Sequence, residues 1–448
     1  VDASGSTGGV VFTQTNAGTF TFTGGSADDT IIMGSTYTSA DTIDGAGGSD
    51  TLGGTTAVIG GTTSSQTKVS NIEKLRVSDA HTTAINVSHF GSITDVILDV
   101  GSNAGSVTNA SSGINVSMGT KAGTSAGGGT FALTVSGSGT TDSATCTLND
   151  AEQSGSVTFT GVETLNLVSN LDLDGSAADT GTAGTNRFAG TLVLTDTAAT
   201  EKVVVTGTES MTITGAVTAN EVDASGATEP LIMGAACTIS GVTVTGGAGG
   251  DTLFGSAGND IINGGAGADT INPLAGNDIV SGGAGADIFR QSAAAANGVD
   301  RQTISDFDDT VTTGDIFNFN SGVATLTGTN NFASSAAIQT HSTTGNLTVN
   351  AAAEVVLVTS ATVTDLTSAN SLNGTNLLTA VGGTITGAIV GQNDILICVA
   401  DTNGNVGVYH ASSANNAILN TEITLVAVLQ GSNVTLANLV FNNFTNGA

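Results

Sequence analysis

Residues 246–290 read GGAGGDTLF GSAGNDIIN GGAGADTIN PLAGNDIVS GGAGADIFR when divided every nine. Asp251, Asp260, Asp269, Asp278 and Asp287 fall in one column, at position six. Position eight holds Leu253, Ile262, Ile271, Val280 and Phe289, all large and apolar. One inward apolar residue per nine reads as a six-residue turn followed by a three-residue strand, the unit of a parallel β-roll. Position four is always glycine (Gly249, Gly258, Gly267, Gly276 and Gly285), which suits a turn that needs positive φ. Asn259 and Asn277 precede two of the aspartates.

Stacked carboxylates repel, and the whole chain already carries a formal charge of −30. Something positive must lie between them. The template G-G-x-G-x-D-x-U-x, with U a large apolar residue, is that of a Ca²⁺-binding β-roll. Ca²⁺ takes six to eight oxygens from carboxylates and carbonyls, and one aspartate per turn plus turn carbonyls supplies about half of them. In a flattened roll alternate units share an edge, so partners are eighteen residues apart. Asp251 is expected to pair with Asp269, Asp260 with Asp278 and Asp269 with Asp287, enclosing about three ions. Pro273 and Leu274 replace both leading glycines of the fourth unit, so distortion is expected at Ala275-Gly276-Asn277-Asp278. A flexible Gly/Asp linker is the competing reading of the stretch.

Composition sets the class. Eight Lys and Arg stand against 38 Asp and Glu in 448 residues, which excludes nucleic acid and anionic membranes as partners. Thr and Val favour strands, while glycine is abundant and helix formers are scarce. An all-β chain is expected: a parallel β-roll or β-solenoid flanked by further β-solenoid or β-sandwich segments. Low charge density and positive mean hydropathy argue against disorder. Cys146, Cys237 and Cys398 are odd in number and widely spaced, and read as small buried hydrophobes. No run of about 18 apolar residues suggests a transmembrane helix.

Two further repeats organise the chain. TFTFTGGSADDTII at 19–32 aligns without a gap against GVTVTGGAGGDTLF at 241–254, and VDASG occurs at 1–5 and 222–226. A weaker array is therefore expected in 1–60, where Asp41 and Asp50 keep the nine-residue spacing and Asp29 does not. Asp29 and Asp50 are candidate ligands there. VSNIEKLRV (69–77), FTGVETLNL (159–167) and VTGTESMTI (205–213) each alternate apolar residues around one glutamate. Glu73, Glu163 and Glu209 read as outward-facing strand residues. The expected divisions are 1–60, a degenerate roll; 61–245, a Thr/Gly-rich solenoid or sandwich; 246–290, the nonapeptide roll; and 291–448, a β-rich cap. In the last, 395–411 is a hairpin turning at Asn403-Gly404, and 421–431 and 434–444 are apolar strands.

At the nonapeptides the chain resembles the RTX (repeats-in-toxin) family of secreted bacterial proteins. The likeness continues into Ile304-Ser305-Asp306-Phe307 and Gly314-Asp315-Ile316-Phe317-Asn318-Phe319, although Ile316 stands one place early. It implies that Asp306 caps the last calcium site, and that export uses an uncleaved C-terminal signal, to which the tail ending Phe441-Asn442-Asn443-Phe444 is similar. Among RTX proteins, the Glu-centred strands and VDASG turns are most similar to calcium-dependent surface-layer proteins of Gram-negative bacteria. That likeness implies a homo-oligomeric array on the cell surface, with cell-surface polysaccharide a candidate partner.

Catalysis has little support. No H-E-x-x-H is present, and GTSAG at 123–127 lacks the strand and helix that would make Ser125 a nucleophile. Ser78, Asp79 and His81 are close in sequence only. The expectation is a non-enzymatic structural protein, with an adhesin or extracellular filament as the alternative and a secreted hydrolase behind both. Few aromatics leave a sugar-stacking platform poorly supplied.

Overall fold

The computed structural model describes the chain except residues 16–17, 35–36, 39, 62–67, 120–128, 137–138, 150–151, 171–184, 197–199, 292–299, 311–313, 320–337, 343–346, 350–354, 364–365, 367–373, 382–384, 388–393, 413–416, 419–422, 432–433, 435–443 and 447–448. Two compact units, Val1–Ala235 and Ala236–Ala448, are described separately.

The first unit is a parallel β-solenoid. One face is a ladder of Val11–Gln14, Thr30–Met33, Thr51–Gly54, Lys74–Val77, Asp95–Leu98, Ile114–Met118, Ser143–Asn149, Thr164–Asn170, Lys202–Gly207 and Glu221–Ala227. A second face begins with Thr21–Thr23, Thr42–Asp44 and Val69–Ser70. A separate ladder follows, from Ala84–Asn86 through Gly105–Ala110, Phe131–Val135, Val157–Thr160 and Leu192–Thr195 to Val217–Thr218. From Glu152–Gln153 onward the coils gain a third face, continued by Thr185–Phe188, Ser210–Ile213 and Leu231–Met233. The described residues of 61–235 thus form solenoid rather than sandwich. The period-two patterns explain this: in Ile114–Met118 and Thr164–Asn170 alternate residues are buried, and the others are short polar or aliphatic side chains facing out.

The second unit opens with the nonapeptides. Thr243–Thr245, Ile261–Ala266, Asn277–Ala284 and Arg301–Ile304 form one parallel ladder. Thr252–Ser256, Thr270–Leu274, Ile288–Gln291 and Ile316–Phe319 form the other. Leu253 pairs with Ile271, Ile271 with Phe289, and Ile262 with Val280, so the repeat along each ladder is two units. All five position-eight side chains are at most 1% exposed. Their column is the core of the roll.

Beyond the roll, Ile338–His341, Val355–Val363 and Asp394–Asp401 are parallel, and Asp394–Asp401, Val406–Ser412 and Ile423–Leu429 are antiparallel. The hairpin turns at Asn403-Gly404, where Gly404 has φ +89° and Asp401 accepts the Asn403 and Asn405 amides. A local core of Val356, Val358, Ile397, Tyr409 and Leu425 lies here. The strand expected at 434–444, the exit at 291–298 and the tail before Phe444 lie largely outside the described residues. All three cysteines are free and buried. Among the described residues no helix is long and apolar enough to cross a membrane.

The fourth nonapeptide keeps register. Ser256 pairs with Leu274, so Pro273-Leu274 does not break the ladder. Two irregularities remain: the strand already begins at Asn277, where Asn277 and Asp278 pair with Arg301 and Gln302, and the backbone is strained at Leu274. Leu274 has φ +72°, in the position where Gly265 and Gly283 have +109° and +94°. A non-glycine residue there costs roughly 1–2 kcal/mol, against about 0.5–1 for the greater unfolded-state freedom of glycine. Leu274→Gly is expected to stabilise the chain by up to about 1 kcal/mol, read as a raised Tm. A lowered Tm would show that the half-buried leucine side chain outweighs the strain.

Candidate metal centre

Asp251, Asp260, Asp269 and Asp287 stand directly before a strand and Asp278 is the second residue of Asn277–Ala284; the carboxylates of Asp260, Asp269, Asp278 and Asp287 reach back one coil. Asp269 Oδ1 accepts the Asp251 amide at 2.7 Å, Asp278 Oδ1 the Asp260 amide at 2.9 Å, and Asp287 Oδ1 the Asp269 amide at 2.8 Å. These are the three pairs expected from the eighteen-residue spacing, joined directly by carboxylate–amide bonds. All five aspartates are buried.

The second oxygens separate them into two groups. Asp251 Oδ2 accepts the Gly247 amide at 2.7 Å and Asp260 Oδ2 the Ser256 amide at 2.6 Å. Asp269, Asp278 and Asp287 each keep Oδ2 buried with no hydrogen-bond partner. These three are the later members of the three pairs. A buried carboxylate oxygen without a donor is costly, and the usual remedies are a proton or a cation.

Glycine makes the space. A Cβ on Gly264 would strike both Asp269 Oδ2 and the Gly282 carbonyl, and one on Gly246 would strike Asp251 Oδ2 and the Gly264 carbonyl. Carbonyl and carboxylate oxygens therefore converge over the first glycine of the first three units, Gly246, Gly255 and Gly264. At position four, Gly267, Gly276 and Gly285 have φ +120°, +137° and +150° and lie against Gly249, Gly258 and Gly267 respectively. Asn259 and Asn277 point outward, where Asn259 Oδ1 accepts the Asn277 amide at 2.8 Å. Among the described residues no three His, Cys, Asp or Glu side chains gather as a metal cluster. The donors are one carboxylate per coil plus backbone carbonyls, an all-oxygen set that suits a hard cation such as Ca²⁺.

Asp306 accepts from Ser281 Oγ at 2.6 Å and from the Gly282 and Gly283 amides at 3.0 and 2.8 Å, so it caps the last turn. The column itself continues to Asp315. Its Oδ1 accepts the Asp287 amide at 2.9 Å and its Oδ2 the Asp308 amide at 2.8 Å. The sequence hides this role of Asp315, because its separation from Asp287 is twenty-eight residues rather than eighteen. On the other edge the buried Gln302 lies opposite Asp278, and Asp300 Oδ1 accepts the Gly276 amide at 3.0 Å.

The first unit uses the same bond. Asp50 Oδ1 accepts the Asp29 amide at 2.6 Å, twenty-one residues away, so the broken spacing does not separate them. Glu73 Oε2 then accepts the Asp50 amide at 2.8 Å, and Glu163 Oε2 the Asp142 amide at 2.7 Å. These glutamates are not outward-facing strand residues, as expected from alternation; each stands just before its strand and turns into the coil edge. Asp41 lies elsewhere, accepting the Phe20 and Thr38 amides. His81 is fully buried, with Nδ1 3.3 Å from Ser102 Oγ, while Asp79 Oδ1 accepts the Thr56 amide. Ser78, Asp79 and His81 form no triad. Ser125 lies outside the described residues.

A family model described as the RTX calcium-binding nonapeptide repeat, in four copies, matches 245–280 and 274–290. The array is made of RTX repeats. No curated protein matches this chain. RTX repeats imply Ca²⁺ binding, and the orphaned oxygens of Asp269, Asp278 and Asp287 fit that ion. RTX repeats are typical of secreted proteins.

Burial pushes Asp269 and Asp287 up to about 6, and Asp278 and Asp315 up to about 7. A neighbouring aspartate in each column adds to the effect. The calcium-free RTX roll therefore holds protons more tightly than the unfolded chain. This stabilisation is complete below the unfolded carboxylate value and is lost as pH rises through 6–7. In EGTA, β-structure by circular dichroism is expected to be greater at pH 5 than at pH 8. With calcium the order reverses, because the ion must displace those protons, and its half-saturation concentration rises as pH falls. A half-saturation point independent of pH between 5 and 8 would contradict this. Gly264→Ala, which puts a methyl between Asp269 Oδ2 and the Gly282 carbonyl, is expected to weaken calcium binding at least tenfold by calorimetric titration, about 1.4 kcal/mol.

Proposed function

We propose that this chain is a calcium-dependent structural protein that self-assembles into a bacterial surface layer or extracellular array. The observation that carries the calcium dependence is the set of buried, unpartnered oxygens on Asp269, Asp278 and Asp287. Without a cation the stacked carboxylates and glycine-rich backbone favour the unfolded roll; with it, binding energy becomes folding energy. Millimolar calcium is found outside cells, so the roll suits folding after export, and type I secretion fits the RTX repeats. Self-assembly is supported by the outer faces. Asn115, Ser117, Thr145, Thr147 and Asn166 present short, uncharged side chains on one parallel ladder, groups that a second copy can meet with hydrogen bonds.

The alternative is an adhesin or filament subunit. It is favoured by an open groove of about 440 Å³ on the first unit, where Arg76, Asn115, Ser117, Thr147, Asn149 and Asn170 surround Ile97. Such hydrogen-bonding side chains suit the hydroxyls of a cell-surface polysaccharide. Electron microscopy of the purified chain separates the two readings. Ordered sheets at millimolar calcium that disperse in EGTA are expected. A monodisperse monomer at the same calcium concentration overturns the lattice. Identical circular dichroism with calcium and with EGTA overturns calcium-dependent folding.

A further inference from the structure

The turn at 45–50 reproduces the RTX turn outside the residues matched to the family. Gly25 donates to Asp29 Oδ2 at 2.8 Å, as Gly247 donates to Asp251 Oδ2 at 2.7 Å. Asp29 donates to Asp50 Oδ1 at 2.6 Å, as Asp251 donates to Asp269 Oδ1 at 2.7 Å. Thr51 donates to the Asp29 carbonyl at 2.9 Å, as Thr270 donates to that of Asp251 at 2.8 Å. Gly48 has φ +124°, beside +120° for Gly267. Ala46, at φ +66°, takes the left-handed conformation of Gly265. The three additional residues between Asp29 and Asp50 leave these bonds in place.

The chemistry is reproduced as well. Asp50 is fully buried, and its Oδ2 has no hydrogen-bond partner, like that of Asp269. Asp50 Oδ2 and the Asn71 carbonyl converge over Gly45, where a Cβ would meet both. Asp29 Oδ2 and the Gly45 carbonyl converge in the same way over Gly24. What differs from the roll is the next coil, where Glu73 rather than aspartate accepts the Asp50 amide. Its longer side chain supplies the same acceptor at a separation of twenty-three residues. Asp41, although in step with Asp50 by sequence, has an amide donor on each oxygen.

We propose that the first unit holds its own divalent-cation site, selective for calcium, built on Asp50 and Asp29 with the carbonyls of Gly45 and Asn71. It rests on the calcium reading of the RTX roll, since the donor set is the same: carboxylate and carbonyl oxygens around a glycine. Calcium then orders the coils at 24–53 independently of 246–290.

Hydrogen exchange of the full chain, read by mass spectrometry with calcium and with EGTA, tests it. Calcium is expected to slow exchange at 24–29 and 45–53 as well as across 246–290. Asp50→Asn keeps an oxygen for the Asp29 amide but removes the charge. It is expected to abolish the response at 24–53, leave that at 246–290, and lower the calcium count by native mass spectrometry by one. Asp41→Asn is expected to change neither. A response at 246–290 alone in the unaltered chain overturns the second site and leaves the RTX reading standing. A response at neither overturns both. Should Asp50→Asn fail to fold, the unaltered chain still decides between these outcomes. If Asp50→Asn folds and retains the response at 24–53, the assignment to Asp50 is overturned.

Discussion

The bond on which the structure depends joins a carboxylate at the edge of one coil to the backbone amide at the edge of the coil before it. It recurs from Asp50 to Asp29, from Glu163 to Asp142, from Asp269 to Asp251 and from Asp315 to Asp287. Each such bond satisfies an amide at the point where the chain leaves a turn and enters a strand, before the parallel ladder begins. It also fixes register, because the residue after the carboxylate becomes the first ladder partner: Thr270 after Asp269, Thr51 after Asp50. The cost is that carboxylates stack at the spacing of neighbouring strands, about 4.8 Å. At an effective dielectric of about 20, two like unit charges at that distance repel by roughly 3–4 kcal/mol.

The coil edge therefore has two ways to be stable. Protons can neutralise the column: burial first, and the neighbouring carboxylate after it, push Asp278 and Asp315 up to about 7. A divalent cation can do the same while also using the orphaned oxygens and the carbonyls that converge over the first glycine. Glycine is required there for space more than for φ, since any Cβ on Gly264 enters the volume bounded by Asp269 and Gly282. Away from this edge the first unit buries neutral polar groups. Ser102 is held by Gln153 and lies beside His81 Nδ1 and the Thr130 carbonyl, a buried polar contact made without a carboxylate.

Coil length is the other constraint. A solenoid needs each coil to return to the same ladder position, and it tolerates extra residues wherever they leave the ladders undisturbed. Partner aspartates are eighteen residues apart in the roll, twenty-one at Asp29–Asp50 and twenty-eight at Asp287–Asp315. The hydrogen bonds at the edge are the same in all three.

The nonapeptide stretch by itself determined the parallel roll, the inward column from Leu253 to Phe289, the eighteen-residue pairing and the calcium chemistry, because constant coil length turns spatial repetition into sequence period. Composition determined an all-β chain, and Asn403-Gly404 its hairpin. Tertiary structure alone decided that Asp315 continues the column, that Glu73 and Glu163 turn into the coil edge, and that Asp29 meets Asp50 while Asp41 lies elsewhere. It also decided that Leu274 absorbs positive φ without a break in register. In each case the physical reason is the same. Pairing between coils is set by distance in space, and once coil lengths vary, the sequence separation no longer records which oxygen will meet which amide.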